Sequence, residues 1–189
     1  MNRFLIVALM PLLFACGEEE PRVMPYAGHF MAESLTSNTP VDLNYDGVYS
    51  TDFLAEFGHI LSSSKTNFRI LHEPYQDYLG GWIDVPNMTR GPEEYGVDQL
   101  TVASLSGRYF VLSFDPGTKE FHQIINDPEE HEEMRRITGI EVLEIRAIDT
   151  DTFFVKFEHA RIYDISKSKW KTIVVEGIYK RRQLRPDER

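Results

Sequence analysis

The sequence predicts a mainly β fold: an antiparallel barrel or sandwich of about eight strands, with one N-terminal amphipathic helix and one short helix near 127–137. Three observations carry that expectation. Beyond residue 65 apolar side chains recur at every second position, as strands with one buried face require. The connections between these runs are short and rich in turn formers, too short for the crossovers that parallel strands need. At 189 residues, 42% hydrophobic and 12% aromatic, the chain suits one domain and can fill a core.

In chain order, the first candidate element is a helix over about 51–61. Ser50, Thr51 and Asp52 can cap free amides; Phe53, Leu54, Phe57, Ile60 and Leu61 share one face; Ser62-Ser63-Ser64 ends it. Phe68, Ile70 and His72 alternate with Arg69, Leu71 and Glu73 in a strand. Gly81–Val85 and Gln99–Leu105 follow as two more, separated by a polar loop from Pro86 to Glu94. Arg108–Phe114 and Glu120–Ile125 flank Asp115-Pro116-Gly117-Thr118, where proline presets φ and glycine tolerates the turn. Asp127 caps the short helix, with Pro128 in its first turn, acids early and Arg135 and Arg136 late, each suited to the helix dipole; Gly139 stops it. Glu141–Ile148, Phe153–Tyr163 and Trp170–Lys180 complete the strands, and 183–189 read as a polar tail.

The N-terminus speaks to location. Asn2-Arg3 precedes the apolar run Phe4–Phe14, whose eleven residues fall short of the roughly 20 a spanning helix needs. Leu13-Phe14-Ala15-Cys16 resembles a bacterial lipoprotein signal, although Phe14 is bulkier than that motif usually carries. Residues 1–15 are accordingly expected to be a signal peptide, with Cys16 the lipidated first residue of the mature chain. As the only cysteine, Cys16 has no intrachain disulfide partner. Gly17-Glu18-Glu19-Glu20-Pro21 favours a solvated tether, and similar acidic stretches follow the lipidated cysteine of surface-exposed lipoproteins. Residues 16–40, with Pro25, Gly28, Ser34, Asn38 and Pro40 and no sustained period, read as tether and linker; 41–182 is the predicted β domain.

Between linker and helix, Asp42, Asn44 and Asp46 alternate before Gly47, a spacing that can wrap a calcium ion, with the Val48 carbonyl as a further ligand. The twelfth position is Phe53, not an acid; Asp52, one residue early, or Glu56 could serve a shortened loop. The alternative is a tight turn with Asp52 as a helix cap. A bound calcium would be structural. Lipobox, acidic tether, the stretch Val41–Phe53 and the hairpins together resemble the lipocalin-like lipoproteins of bacterial envelopes, closely in residues only over 41–56. The resemblance implies a small barrel with a binding or structural role and mostly no assigned activity. Where many relatives carry a cysteine after the helix, this chain has Ser62-Ser63-Ser64.

Other chemistry finds little footing. A net charge of −10 lacks the basic balance that nucleic acid demands. There is no Gly-x-Ser-x-Gly motif, and His131-Glu132-Glu133-Met134-Arg135 lacks the second histidine of a zincin helix. The six histidines lie in separate segments, with His122 and His159 the pair that strands could bring together. Trp82, Tyr109, Tyr163, Trp170 and Tyr179 are candidates for a ligand mouth, or simply good strand residues. The expectation is a surface-exposed lipoprotein anchored in the outer membrane, without catalysis, binding a small ligand, glycan or protein. The alternatives are a structural accessory subunit of an outer-membrane assembly, and an envelope hydrolase using Glu158 or Glu176 with a histidine.

Overall fold

The stretches of period two become the walls of one closed antiparallel barrel. The computed structural model describes residues 25–43, 46–57, 66–72, 78–88, 102–164 and 169–182. Within them run strands β1 (Gly28–Val41), β2 (Ser50–Asp52), β3 (Asn67–His72), β4 (Leu79–Met88), β5 (Val102–Asp115), β6 (Glu120–Ile124), β7 (Ile140–Ala147), β8 (Thr152–Asp164) and β9 (Lys169–Arg181). Helix α1 is Phe53–Phe57 and helix α2 is Pro128–Thr138. From β3 to β9 each strand pairs with the next, an up-and-down meander of the lipocalin-like kind.

β1 closes the ring. One of its edges pairs with β9 from Phe30↔Arg181 to Ser37↔Val175, and the other is shared: β3 takes Gly28–Met31, and β2 takes Thr36 and Val41. Eight strands thus form the barrel, with β2 a short flap on the far half of β1. Residue 25, the turns 116–119 and 148–151 and the end of β9 gather at one end, here called upper. Arg181 fastens that end. It donates to the carbonyls of Ala27, Pro25 and Thr150 at 2.7, 2.9 and 2.6 Å, and its guanidinium lies over the Phe30 ring.

Among the described residues the interior is packed with side chains. Phe30, Phe68, Phe153, Phe157, Ile83, Leu112, Val155 and Val175 are fully buried, and Phe110, Phe121 and Ile173 nearly so. Phe153 is the hub, its ring 4.6, 5.4 and 5.6 Å from those of Phe30, Phe68 and Phe121. Tyr26 closes the upper end over them, 4.9 Å from the partly buried Phe114 and 6.1 Å from Phe153. Burial of each such side chain contributes about 1.5–3 kcal/mol, so this cluster dominates the stability. Towards the lower end the interior turns polar, with Arg108 and His159 buried among Ile140, Phe53 and Phe157.

The short helix forms as its sequence dictates. The Asp127 carboxylate accepts from the amides of Glu129 and Glu130 at 2.9 and 3.1 Å, and Gly139 adopts the left-handed φ of 72°. Other expectations are corrected. Residues 28–40, read as linker, form the strand that closes the barrel; their burial alternates irregularly because the pairing with β9 shifts register between Ala32 and Ser34. Helix α1 begins at Phe53, since Ser50–Asp52 pair with β1 instead; residues 58–61 of the expected helix lie outside the described residues. The runs Gln99–Leu105 and Arg108–Phe114 are one strand from Val102 onward, and Pro86–Met88, expected in a loop, extend β4 against it. Gly107 does not break β5, because a side chain from β4 fills the space it leaves.

Tyr179 offers a test of this packing. Its hydroxyl is buried with no hydrogen-bond partner, and burial pushes its pKa well above that of a free phenol. The unfolded chain releases this proton near pH 10 while the fold retains it, so stability contributed by the neutral phenol declines above about pH 10, at up to about 1.4 kcal/mol per pH unit. Tyr179→Phe should leave stability at pH 7 unchanged or higher and remove this part of the alkaline decline, as read by urea unfolding at pH 7 and pH 11.

Candidate functional site

The loop before α1 uses its acids on its own backbone. Asp42 accepts from the Gly47 amide at 3.1 Å, Asp46 from Val48 at 2.7 Å and Asp52 from Ala55 at 3.0 Å, the last a helix cap. Gly47 has a φ of 84°, the left-handed conformation such a turn needs. Phe53 points into the core, and Glu56, only 4% exposed, accepts from the Leu43 amide at 2.9 Å. The turn-and-cap use of these residues is therefore realised. Asn44 lies outside the described residues, and among those described no three His, Cys, Asp or Glu converge as a ligand group. Asp42 Oδ1 is buried without a hydrogen-bond partner and is the atom there that a cation would satisfy.

The four aromatic candidates fall into two pairs on opposite walls. Trp82 and Tyr109 are register partners on β4 and β5, and both point outward. Tyr163 and Trp170 are partners on β8 and β9, rings 5.2 Å apart near the lower end. They do not share a mouth. Tyr179, the fifth aromatic, lies in the interior core. A groove of about 390 Å³ opens on the outside of the wall, lined by residues of β1, β2 and α1 that include Glu33, Leu35, Asp52 and Leu54.

Two glycines explain how large rings lie flat on the outer wall. A Cβ at Gly107 would meet the Trp82 indole at 2.1 Å, and one at Gly80 the Tyr109 ring at 3.1 Å and Leu71 at 3.4 Å. On the inner face of the same strand, the Phe110 ring occupies the space over Gly81. The Trp82 indole N–H donates to Asp84 at 2.6 Å, and Arg69 pairs with the same carboxylate at 3.3 Å. The sequence signal was the pair Gly80-Gly81 within a strand, which marks close approach of other groups.

Arg108, 1% exposed, is the largest fully buried side chain among the described residues. It donates to the Ile140 carbonyl, to Glu141 at 2.9 Å and towards Nδ1 of His131 at 3.0 Å. Gln123 approaches the same imidazole nitrogen at 3.1 Å, and Glu141 lies 3.2 Å from its Nε2. These contacts hold α2 against the barrel through His131, and they occupy Arg108 with internal partners. The spacing of His131 in an acidic helix gave no hint of it.

The other histidines stay apart. His122 sits on the exposed outer face, 3.9 Å from Glu120, while His159 is buried inside and accepts from the Arg161 amide, so these two do not meet. Burial holds the pKa of His29 below that of a free imidazole, with Arg69 and Arg182 adding to the effect. His59 lies outside the described residues. The carboxylates Glu158 and Glu176 have other neighbours: Glu176 pairs with Lys156 at 2.9 Å, and Glu158 lies opposite Glu141 and Val174. Cys16 likewise falls outside the described residues.

No protein-family model matches the chain, and a search of characterised proteins finds no relative.

Glu56 is the testable joint of the 42–56 segment. Glu56→Ala would leave the buried Leu43 amide without an acceptor and should cost about 1–3 kcal/mol of unfolding free energy. Glu56→Gln keeps an acceptor oxygen and should retain most of it. Urea titration of the three proteins distinguishes this joint from a carboxylate that merely fills space.

Proposed function

We propose that the chain is a lipid-anchored, non-enzymatic binding module of the bacterial outer membrane, displayed at the cell surface, which engages its partner from the outside of its barrel. The observation that carries this reading is the packing of the interior among the described residues, where Phe30, Phe68, Phe121, Phe153 and Phe157 crowd the lumen that a carrier would keep open for a ligand. Small-molecule sites are concave, typically about 300–1,000 Å³. The lipobox ending at Cys16 supports the anchor, and the chain's resemblance to lipocalin-like envelope lipoproteins supports the class. Among the described residues no helix is long and apolar enough to cross a membrane, so the lipid would provide the attachment.

The attachment would also orient the barrel. Eight residues separate Cys16 from Pro25, so the two lie at most about 32 Å apart when the tether is extended. Arg181 binds the carbonyls of Pro25 and Ala27, fixing the point where the tether joins the upper end. The walls and the lower end, with α1 and α2, are then free to meet a partner. The same packed interior favours, as a second reading, a structural accessory subunit of an outer-membrane assembly, because such a subunit needs faces and no cavity. A calcium at Asp42 and Asp46 would be structural, supported by the buried Asp42 Oδ1 that lacks a hydrogen-bond partner.

Two measurements test this reading. Cys16→Ala should release the chain from membranes in cell fractionation; continued membrane association refutes the anchor. Native mass spectrometry of the released domain should show no small molecule retained by the barrel, and a stoichiometric apolar ligand refutes binding from outside. For the metal, chelation with EDTA should lower the melting temperature, and Asp42→Ala with Asp46→Ala should abolish that sensitivity. An unchanged melting temperature on chelation removes calcium from the account.

A further inference from the structure

We infer that the outer wall of β3–β6 is a docking surface for a basic partner protein whose contact face is apolar. The inference rests on the reading of the chain as a module that binds from its outside. Register brings the surface together. Leu71 lies opposite Gly80, Gly80 opposite Val111 and Val111 opposite Ile124, so one row crosses four strands on the outer face. In the neighbouring row Arg69, Trp82 and Tyr109 are successive partners. Leu71, Tyr109 and Ile124 are 38, 44 and 37% exposed, an apolar and aromatic face on a wall that could have been polar.

The face is rigid and nearly neutral. Its rings rest on glycines of paired strands, and Trp82 is held by its 2.6 Å hydrogen bond to Asp84, so little side-chain freedom remains to be lost on docking. Tyrosine, tryptophan and arginine are the residues that anchor protein interfaces. The Arg69 charge is matched by Asp84 at 3.3 Å.

Charge selects the partner. Two copies of a chain carrying −10 repel one another, and so does a surface of anionic headgroups. A stable dimer also needs roughly 20–30 residues a side, far more than this patch supplies. A basic protein is attracted over distance by the acidic chain and then meets a face that asks for apolar contact. Docking of this kind is transient and salt-sensitive.

A photocrosslinking amino acid, p-benzoylphenylalanine, placed at Leu71, Tyr109 or Ile124 in the full anchored chain in cells tests this, with Thr172 on the opposite wall as control. The expected result is an adduct with one other protein from the patch positions and none from Thr172. Purified, that protein should bind the wild-type domain, and Leu71→Ser with Tyr109→Ser should weaken its Kd at least tenfold with the circular dichroism spectrum unchanged. Raising salt from about 50 to 500 mM should weaken binding about tenfold as well. An adduct of two copies, an adduct with lipid alone, equal yields at Thr172, or a Kd indifferent to the substitutions each overturns the inference. A ligand found inside the barrel would overturn the parent reading instead, so the two failures are distinguishable.

Discussion

The structure depends on the double pairing of β1. A meander from β3 to β9 alone would leave two open edges, each a row of unpaired amides and carbonyls available to other chains. β1 pairs with β9 on one side and with β3 on the other, and the edges disappear. Closure at eight strands also fixes the width of the lumen, about what side chains alone can fill. Everything inside follows from that width. Phenylalanines from β1, β3, β6 and β8 reach the axis and meet around Phe153, and Tyr26 seals them from above.

A lumen of fixed width with so many rings leaves no room for excess atoms on the wall. The chain answers with Gly80 and Gly81, adjacent residues that face opposite sides of β4. One receives Tyr109 from outside and the other Phe110 from inside. Two consecutive residues of β5 thus cover two consecutive glycines of β4, and a single glycine pair shapes both the core and the outer face. Gly107, facing outward on β5, repeats the device for Trp82. A Cβ at any of these positions would lift a ring off the sheet and disturb the pairing on which closure depends.

Much of this architecture was legible from periodicity, and the departures have physical causes. Phe153, Val155 and Phe157 announce a buried face by strict alternation, and the helix after Asp127 announces itself by its cap, its proline and its closing glycine. β1 was not legible because it carries Pro40, Ser34 and Asn38, and because its pairing with β9 shifts register between Ala32 and Ser34, so that Phe30 and Leu35 both face inward. Its pattern therefore never settles into a clean alternation, and propensity is overruled by pairing. The site was harder still. The residues that could be picked out singly, Trp82 and Tyr109, were real neighbours, but their companions Leu71, Val111 and Ile124 join them only through register, which no local pattern states. The joint at Glu56 and the contacts of Arg108 with Glu141 and His131 are likewise tertiary, made across thirteen or more residues wherever two elements are involved, apart from the closer link of His131 to Glu141.

The energetics of the core argue for a function on the outside. To admit a ligand of typical size the barrel would have to open a cavity of about 300 Å³, and at about 24 cal/mol per Å³ that costs roughly 7 kcal/mol. The whole stability of a domain is usually about 5–15 kcal/mol. A ligand would have to return most of that sum before any net affinity appeared, while also displacing rings that already satisfy one another around Phe153. The outer wall of β3–β6 asks for no such reorganisation. Its rings are already placed by glycines and by the Trp82–Asp84 hydrogen bond, its strands are braced on both sides, and the apolar surface it presents to water is a standing gain for any partner that covers it.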